Sequence, residues 1–177
     1  MLATLLSACT TAVTEPPYER YLALAPANTL NAVNTEPRLA PFVTLFSHLS
    51  LEGVESNLAQ VYAPELYFND TFHTFTDRPA LQRYFLNLVA NADTRVTFLD
   101  LSKHQNDVWL RWHMNTRFKV WWRALDINSI GMTHLRFNDE GLIILHQDYW
   151  DSVEGFYAHL PMIGSPLRLI RSQLGPD

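Results

Sequence analysis

A chain of 177 residues with 47% hydrophobic and 18% charged residues is long enough for one globular domain with a real core, plus an appendage. A formal charge of −5 and no run of Lys or Arg argue against a nucleic-acid partner, whose phosphates call for clustered cations. No apolar stretch reaches the ~20 residues that span a bilayer, and 12% aromatic residues, five of them Trp, either build a core or line an apolar pocket.

The chain opens on its single cysteine, Cys9, which excludes an internal disulfide and a cysteine-cluster metal site. Leu6-Ser7-Ala8-Cys9 reads as a bacterial lipobox, small residues before a cysteine that is lipidated and becomes the mature N-terminus. The apolar segment before it is too short for a signal peptide and lacks the positive region, which predicts a true start upstream of Met1. Residues 1–9 are thus expected to be the end of a lipoprotein signal, with the anchor at Cys9 as the only membrane contact, on the periplasmic side of the cell envelope. A chance apolar N-terminus is the other reading, and it predicts a cytoplasmic protein.

Residues 10–38 are rich in Thr, Pro, Asn and Ala and read as a flexible linker, with Tyr18, Tyr21 and Leu22 able to dock locally. The folded domain is expected over residues 39–175. Phe42, Leu45, Phe46 and Leu49 recur at helical spacing, as do Val54, Leu58 and Val61, giving two short helices that meet at Ser50–Gly53. Pro64 is expected to end the second. Leu66-Tyr67-Phe68 is a short strand running into Asn69-Asp70. Asp77 caps a helix opening on Arg78-Pro79-Ala80, whose buried stripe is Leu81, Tyr84, Phe85, Leu88 and Val89. Strands follow at Val96–Leu101, Val108–Val120, Ile127–Phe137 and Leu142–Trp150, with a turn at Asn138–Gly141. Short helices broken by Pro161 and Pro166 end the chain. Helices first and a long antiparallel meander after is an α+β order.

Val61-Tyr62-Ala63-Pro64-Glu65-Leu66-Tyr67-Phe68-Asn69-Asp70, then Arg78-Pro79-Ala80-Leu81, resembles the opening of the nuclear-transport-factor-2-like superfamily. His134 to Gly141, then His146-Gln147-Asp148-Tyr149-Trp150-Asp151, resembles its last hairpin, and the likeness spans about Pro41 to Trp150. It is strongest to the SnoaL-like branch, with polyketide cyclases, ketosteroid isomerases and limonene-epoxide hydrolases. The resemblance implies a cone-shaped curved antiparallel sheet wrapped around the N-terminal helices, a small apolar or aromatic ligand, no cofactor, and a homodimer. Pairing is expected through the outer sheet face, where Leu110, Trp112 and Met114 would otherwise expose an apolar row.

Carried over by position, Asp70 falls where ketosteroid isomerases hold their general base, but their two oxyanion donors meet Phe46 and Thr133, so steroid isomerisation is not expected to carry over. Asp148 matches the catalytic Asp of limonene-epoxide hydrolases. Their Arg-x-Asp pair meets Arg111-Trp112-His113, an imidazole in place of a carboxylate, and their water-holding Tyr and Asn meet Phe68 and Asp70.

Strand alternation gives a separate selection. If Asp148 faces the cavity, so do His146 and Trp150, and Trp109, Arg111 and His113 share one face of the long strand. Asp70, His113 and Asp148 are the catalytic candidates, with Phe46, Phe68, Trp109, Arg111, Thr133, His146 and Trp150 for the ligand. A carboxylate beside histidine can act as general base. An Arg111–Asp148 ion pair that fixes the strands is the structural reading of the same residues. The dispersed histidines lack metal-site spacing, so no metal is expected. The function is read as cofactor-independent isomerisation, dehydration, cyclisation or hydrolysis of a small apolar compound, or else as non-catalytic ligand binding or dimerisation at the envelope.

Overall fold

The computed structural model describes residues 17–25, 35–120 and 122–157, together with residues 160, 166, 169, 170 and 173. Cys9 and its lipobox lie outside the described residues, as do most positions of the expected C-terminal helices, of which α5 (Ser152–Gly155) is described.

After α1 (Pro17–Leu24), helices α2 (Ala40–Ser47) and α3 (Leu51–Val61) form where the apolar spacing predicts them. They bury Phe42, Leu45, Val54, Leu58 and Val61. The Ser50 hydroxyl accepts from the Gly53 N–H at 3.1 Å and so starts α3 with a side-chain cap. That helix passes directly into β1 (Tyr62–Asn69), so Pro64 stands inside a strand. It lies where the pairing register to β6 is interrupted between Tyr62 and Tyr67, which a residue lacking an N–H tolerates. The hairpin partner β2 (Thr74–Asp77) was not legible in the sequence pattern. Asp77 then caps α4 (Arg78–Asn91) by accepting from the Ala80 N–H at 2.8 Å.

The chain continues as β3 (Ala92–His104), β4 (Asp107–Val120), β5 (Arg123–Phe137) and β6 (Ile143–Trp150). The six-stranded sheet has the order β2-β1-β6-β5-β4-β3, antiparallel throughout except for the parallel β1–β6 pair. It is curved and unclosed, with the α2–α4 helices on its concave side, the expected α+β cone.

The register decides which residues face the helices. Directly opposed residues share a face, and Asp148 pairs with Thr133, Thr133 with Leu110, and Leu110 with Leu101. The inward face of β4 is therefore Val108, Leu110, Trp112 and Met114, all part of the core or packed on it. This corrects two expectations. Trp109, Arg111 and His113 stand on the outer face, and the apolar outer row that argued for pairing there does not exist. Gly131 completes the inner row between Trp112 and Trp150. A Cβ on it would come within 2.4 Å of the Trp112 ring, so only glycine lets that ring lie across β5.

Within the described part of residues 10–38, Tyr18 and Tyr21 dock, as the sequence allowed. In α1 the Tyr18 ring stacks on His113 at 5.6 Å, and the Tyr21 hydroxyl accepts from Arg111 at 2.6 Å, so this helix docks on the outer sheet face. Glu36, 4% exposed, accepts from Arg38 Nε at 2.7 Å and from Lys103 Nζ at 3.4 Å. The packed part of the chain thus begins before residue 39.

Candidate functional site

Between the concave sheet face and helices α2 and α4 lies a cavity of about 450 Å³. Its walls are rings and aliphatic chains: Phe42 and Phe46 from α2, Phe85 and Leu88 from α4, and Phe68, Phe98, Trp112 and Trp150 from the strands. Two carboxylates line it, Asp70 and Asp148.

Asp148 is held by a chain of hydrogen bonds that starts in the core. Trp112 Nε1 donates to Thr133 Oγ1 at 2.8 Å, and the Thr133 hydroxyl donates to Asp148 Oδ1 at 2.5 Å. His146 Nε2 lies 2.9 Å from that same oxygen, and His146 Nδ1 lies 2.6 Å from the Tyr62 hydroxyl. Burial, and secondarily the charge of Asp148, pushes the Tyr62 hydroxyl well above its ordinary value, so it keeps its proton. With Tyr62 donating to Nδ1, the Nε2–H of His146 donates to Asp148. Thr133 and His146 are each 2% exposed, so both donors are fixed by the packing around them. The second oxygen of Asp148, Oδ2, has no hydrogen-bond partner among the described residues.

Asp70, just past the end of β1, is held differently. Its Oδ1 accepts from the backbone N–H groups of Phe72 and His73 at 2.9 and 2.8 Å, and its Oδ2 accepts from the Tyr84 hydroxyl. Trp150 Nε1 donates to its backbone oxygen at 3.1 Å, linking this loop to β6. The loop turns at Thr71, a β-branched residue at a φ of 84°, a conformation such residues adopt only when their surroundings impose it. Burial first, then the charge and hydrogen bond of Asp70 and finally the charge of Asp148, raise Tyr84 far above the ordinary phenol range. One hydroxyl thus feels both carboxylates, which places them around one space.

Of the residues selected from sequence, Asp70, Asp148, Phe46, Phe68, Thr133, His146 and Trp150 line this cavity. Trp109, Arg111 and His113 do not. Trp109 stacks on His134 at 4.7 Å, Arg111 pairs with Asp100, and His113 Nε2 contacts Asn128 Oδ1 at 3.1 Å, all on the outer face. The partners Asp148 was expected to find there are replaced by Thr133 and His146. Sequence reasoning missed the role of Trp112, which alternation with Leu110 and Met114 could have assigned to the inside. It also missed Tyr62, whose helix-to-strand position carries no signal of a partner 84 residues away. Among the described residues no three His, Cys, Asp or Glu side chains are grouped as a metal site.

A SnoaL-like domain model matches residues 43–146, more than half of the chain. The chain belongs to the SnoaL-like family. Solved structures agree on the fold. An LEH-like epoxide hydrolase from M. tuberculosis superposes with a TM-score of 0.57 at 13% identity, covering 83% of this chain and 99% of that one. A Catenulispora acidiphila protein with a ketosteroid isomerase-like fold, solved in complex with trimethylamine, gives 0.56 at 15% identity, over 68% of this chain and 89% of that one. TsrD from Streptomyces laurentii gives 0.54 at 16% identity, over 73% and 96%. Curated protein sequences give no match. The neighbours share the SnoaL-like architecture, and the chemistry of this SnoaL-like domain has to be read from its own cavity.

Proposed function

We propose that this SnoaL-like domain binds a small, largely apolar molecule in the cavity and that Asp148 acts on it as proton acceptor, without a cofactor. The reaction class is isomerisation, dehydration, cyclisation or hydrolysis. One observation carries the reading: a carboxylate set among rings, with Oδ1 fixed by Thr133 and His146 and Oδ2 left without a partner among the described residues. Fixed donors on one oxygen keep the other at a constant position, which general-base catalysis requires. Asp70 suits the role less, because backbone N–H groups and Tyr84 already occupy its oxygens.

The test begins with native mass spectrometry of protein purified from its own host, to identify what co-purifies. Turnover of that compound, and of a panel of apolar epoxides and unsaturated ketones, is then followed by gas chromatography with mass detection. Asp148→Asn is expected to lower any turnover by at least a hundredfold, the usual worth of a positioned base. A variant as active as the parent overturns the assignment. Retained ligand with no turnover by the parent supports a non-catalytic binding module instead.

We also infer lipidation at Cys9, supported by Leu6-Ser7-Ala8-Cys9, and with it an envelope location. Labelled palmitate should enter the full-length protein in its host and fail to enter Cys9→Ser; equal labelling of the two ends the inference. The homodimer is carried by the family resemblance, and sedimentation at micromolar concentration tests it.

A further inference from the structure

The charges around the cavity are unbalanced. Asp70 and Asp148 receive hydrogen bonds from hydroxyl, imidazole and backbone donors, none of them a lysine or arginine. Among the described residues the one Lys or Arg in the lining is Lys119, exposed at the end of β4 beside the β4–β5 hairpin. His73 approaches Asp70 only to 4.0 Å, and its side chain is 55% exposed. Among the described residues no lysine or arginine pairs with either carboxylate, and a partly desolvated space of that kind has a negative potential, which draws in cations and repels anions.

The walls act in the same direction. Trp112 belongs to the hydrogen-bond chain that ends on Asp148, and Trp150 lies two residues beyond Asp148 on the same strand face, tied to the Asp70 backbone. Faces of Trp and Phe attract ammonium ions through the ring quadrupole, and the attraction grows when water is excluded. Rings alone suit any apolar body. Rings around an uncompensated carboxylate suit an apolar body that carries one positive charge.

We propose that the molecule this cavity takes is a lipophilic amine, held as its ammonium ion with an N–H donated to Oδ2 of Asp148 and its apolar body against the aromatic walls. The inference rests on the cavity being the binding site, and it names the class of molecule bound there.

Isothermal titration calorimetry at pH 7.5 with three probes of one shape tests this: 4-phenylbutylamine, 4-phenylbutanol and 4-phenylbutanoate. An alkylamine with a pKa of about 10 is fully protonated there. The amine is expected to bind at least tenfold more tightly than the alcohol, and the carboxylate more weakly than either. Asp148→Asn keeps the shape and removes the charge, so it should lower amine affinity at least tenfold and alcohol affinity less than threefold. A thermal melt that matches the parent shows that the variant is folded. Should the melt fall, Asp148→Glu serves in its place, keeping the charge and retaining the amine preference. An alcohol that binds as tightly as the amine overturns the inference while leaving the cavity as the binding site. Binding of none of the three to the parent overturns both.

Discussion

The two faces of the same sheet treat carboxylates in opposite ways. On the outer face Asp100 pairs with Arg111, Asp126 with Arg117 at 2.9 Å, and Asp107 with Arg136 at 2.8 Å and His134 at 2.7 Å. On the inner face Asp148 and Asp70 accept from hydroxyl, imidazole and backbone donors, with no Lys or Arg among the described residues. The outer pairs range from half-buried to exposed on the side away from the helices, where ion pairs contribute modestly to stability and chiefly keep neighbouring strands aligned. Inside, where an uncompensated charge costs far more, two are nonetheless retained. A charge kept at such a cost without a cation is better explained by something that arrives later than by the fold itself.

The broadest way to break this comparison is to exchange the faces' large rings for alanine. Trp112 is 5% exposed and lies across Gly131, so Trp112→Ala should cost about 3–5 kcal/mol in denaturant unfolding. Trp109, half-buried on the outer face and stacked on His134, should cost about 1 kcal/mol. Equal losses would mean that the strand faces are exchanged.

A smaller effect separates the outer anchors from one another. Glu36 is the outlying carboxylate that is truly buried, and the hydrogen bond and charge of Arg38, aided by Lys103, outweigh its burial and hold it at about 2. Because its folded value lies below its ordinary one, the carboxylate adds stability above about pH 4.5, and that stability is lost as pH falls toward 2. Glu36→Gln should therefore cost of order 2 kcal/mol at neutral pH and flatten the stability profile between those values. An unchanged profile would return residues up to 38 to the role of a passive linker.

Much of this architecture is readable from periodicity, because helix and strand spacing follow from the backbone. The two short helices, the Asp77 cap and the last three strands stand close to where Phe42, Val54, Leu81, Leu110 and Leu135 put them. The parity of β4 was equally readable: Val108, Leu110, Trp112, Met114 and Phe118 alternate with Trp109, Arg111, His113, Asn115 and Arg117. Seeking partners for Asp148 among the polar residues of β4 led to the wrong residues there, since a strand's polar face is ordinarily the solvent's, while Thr133 and His146 were chosen rightly. The candidate site instead draws its polar atoms from isolated positions on otherwise apolar faces. The Tyr62 contact and the site on Arg111 and His113 where α1 docks were out of reach, because both depend on contacts across about half the chain.

The smallest effect on stability should come from Asp148 itself, and its smallness is the informative part. In Asp148→Asn the amide oxygen can still accept from Thr133 and His146, so the hydrogen-bond chain from Trp112 stays whole. The charge that no Lys or Arg among the described residues balances disappears. Those two effects oppose each other, and the net change in unfolding free energy should lie within about 1 kcal/mol of zero, with a gain as admissible as a loss. A loss of about 3–5 kcal/mol is what breaking a buried ion pair costs, and it would make Asp148 a structural residue after all. Near-neutral stability together with lost amine binding would instead separate the two faces by purpose, the outer carboxylates serving the sheet and the inner one serving its ligand.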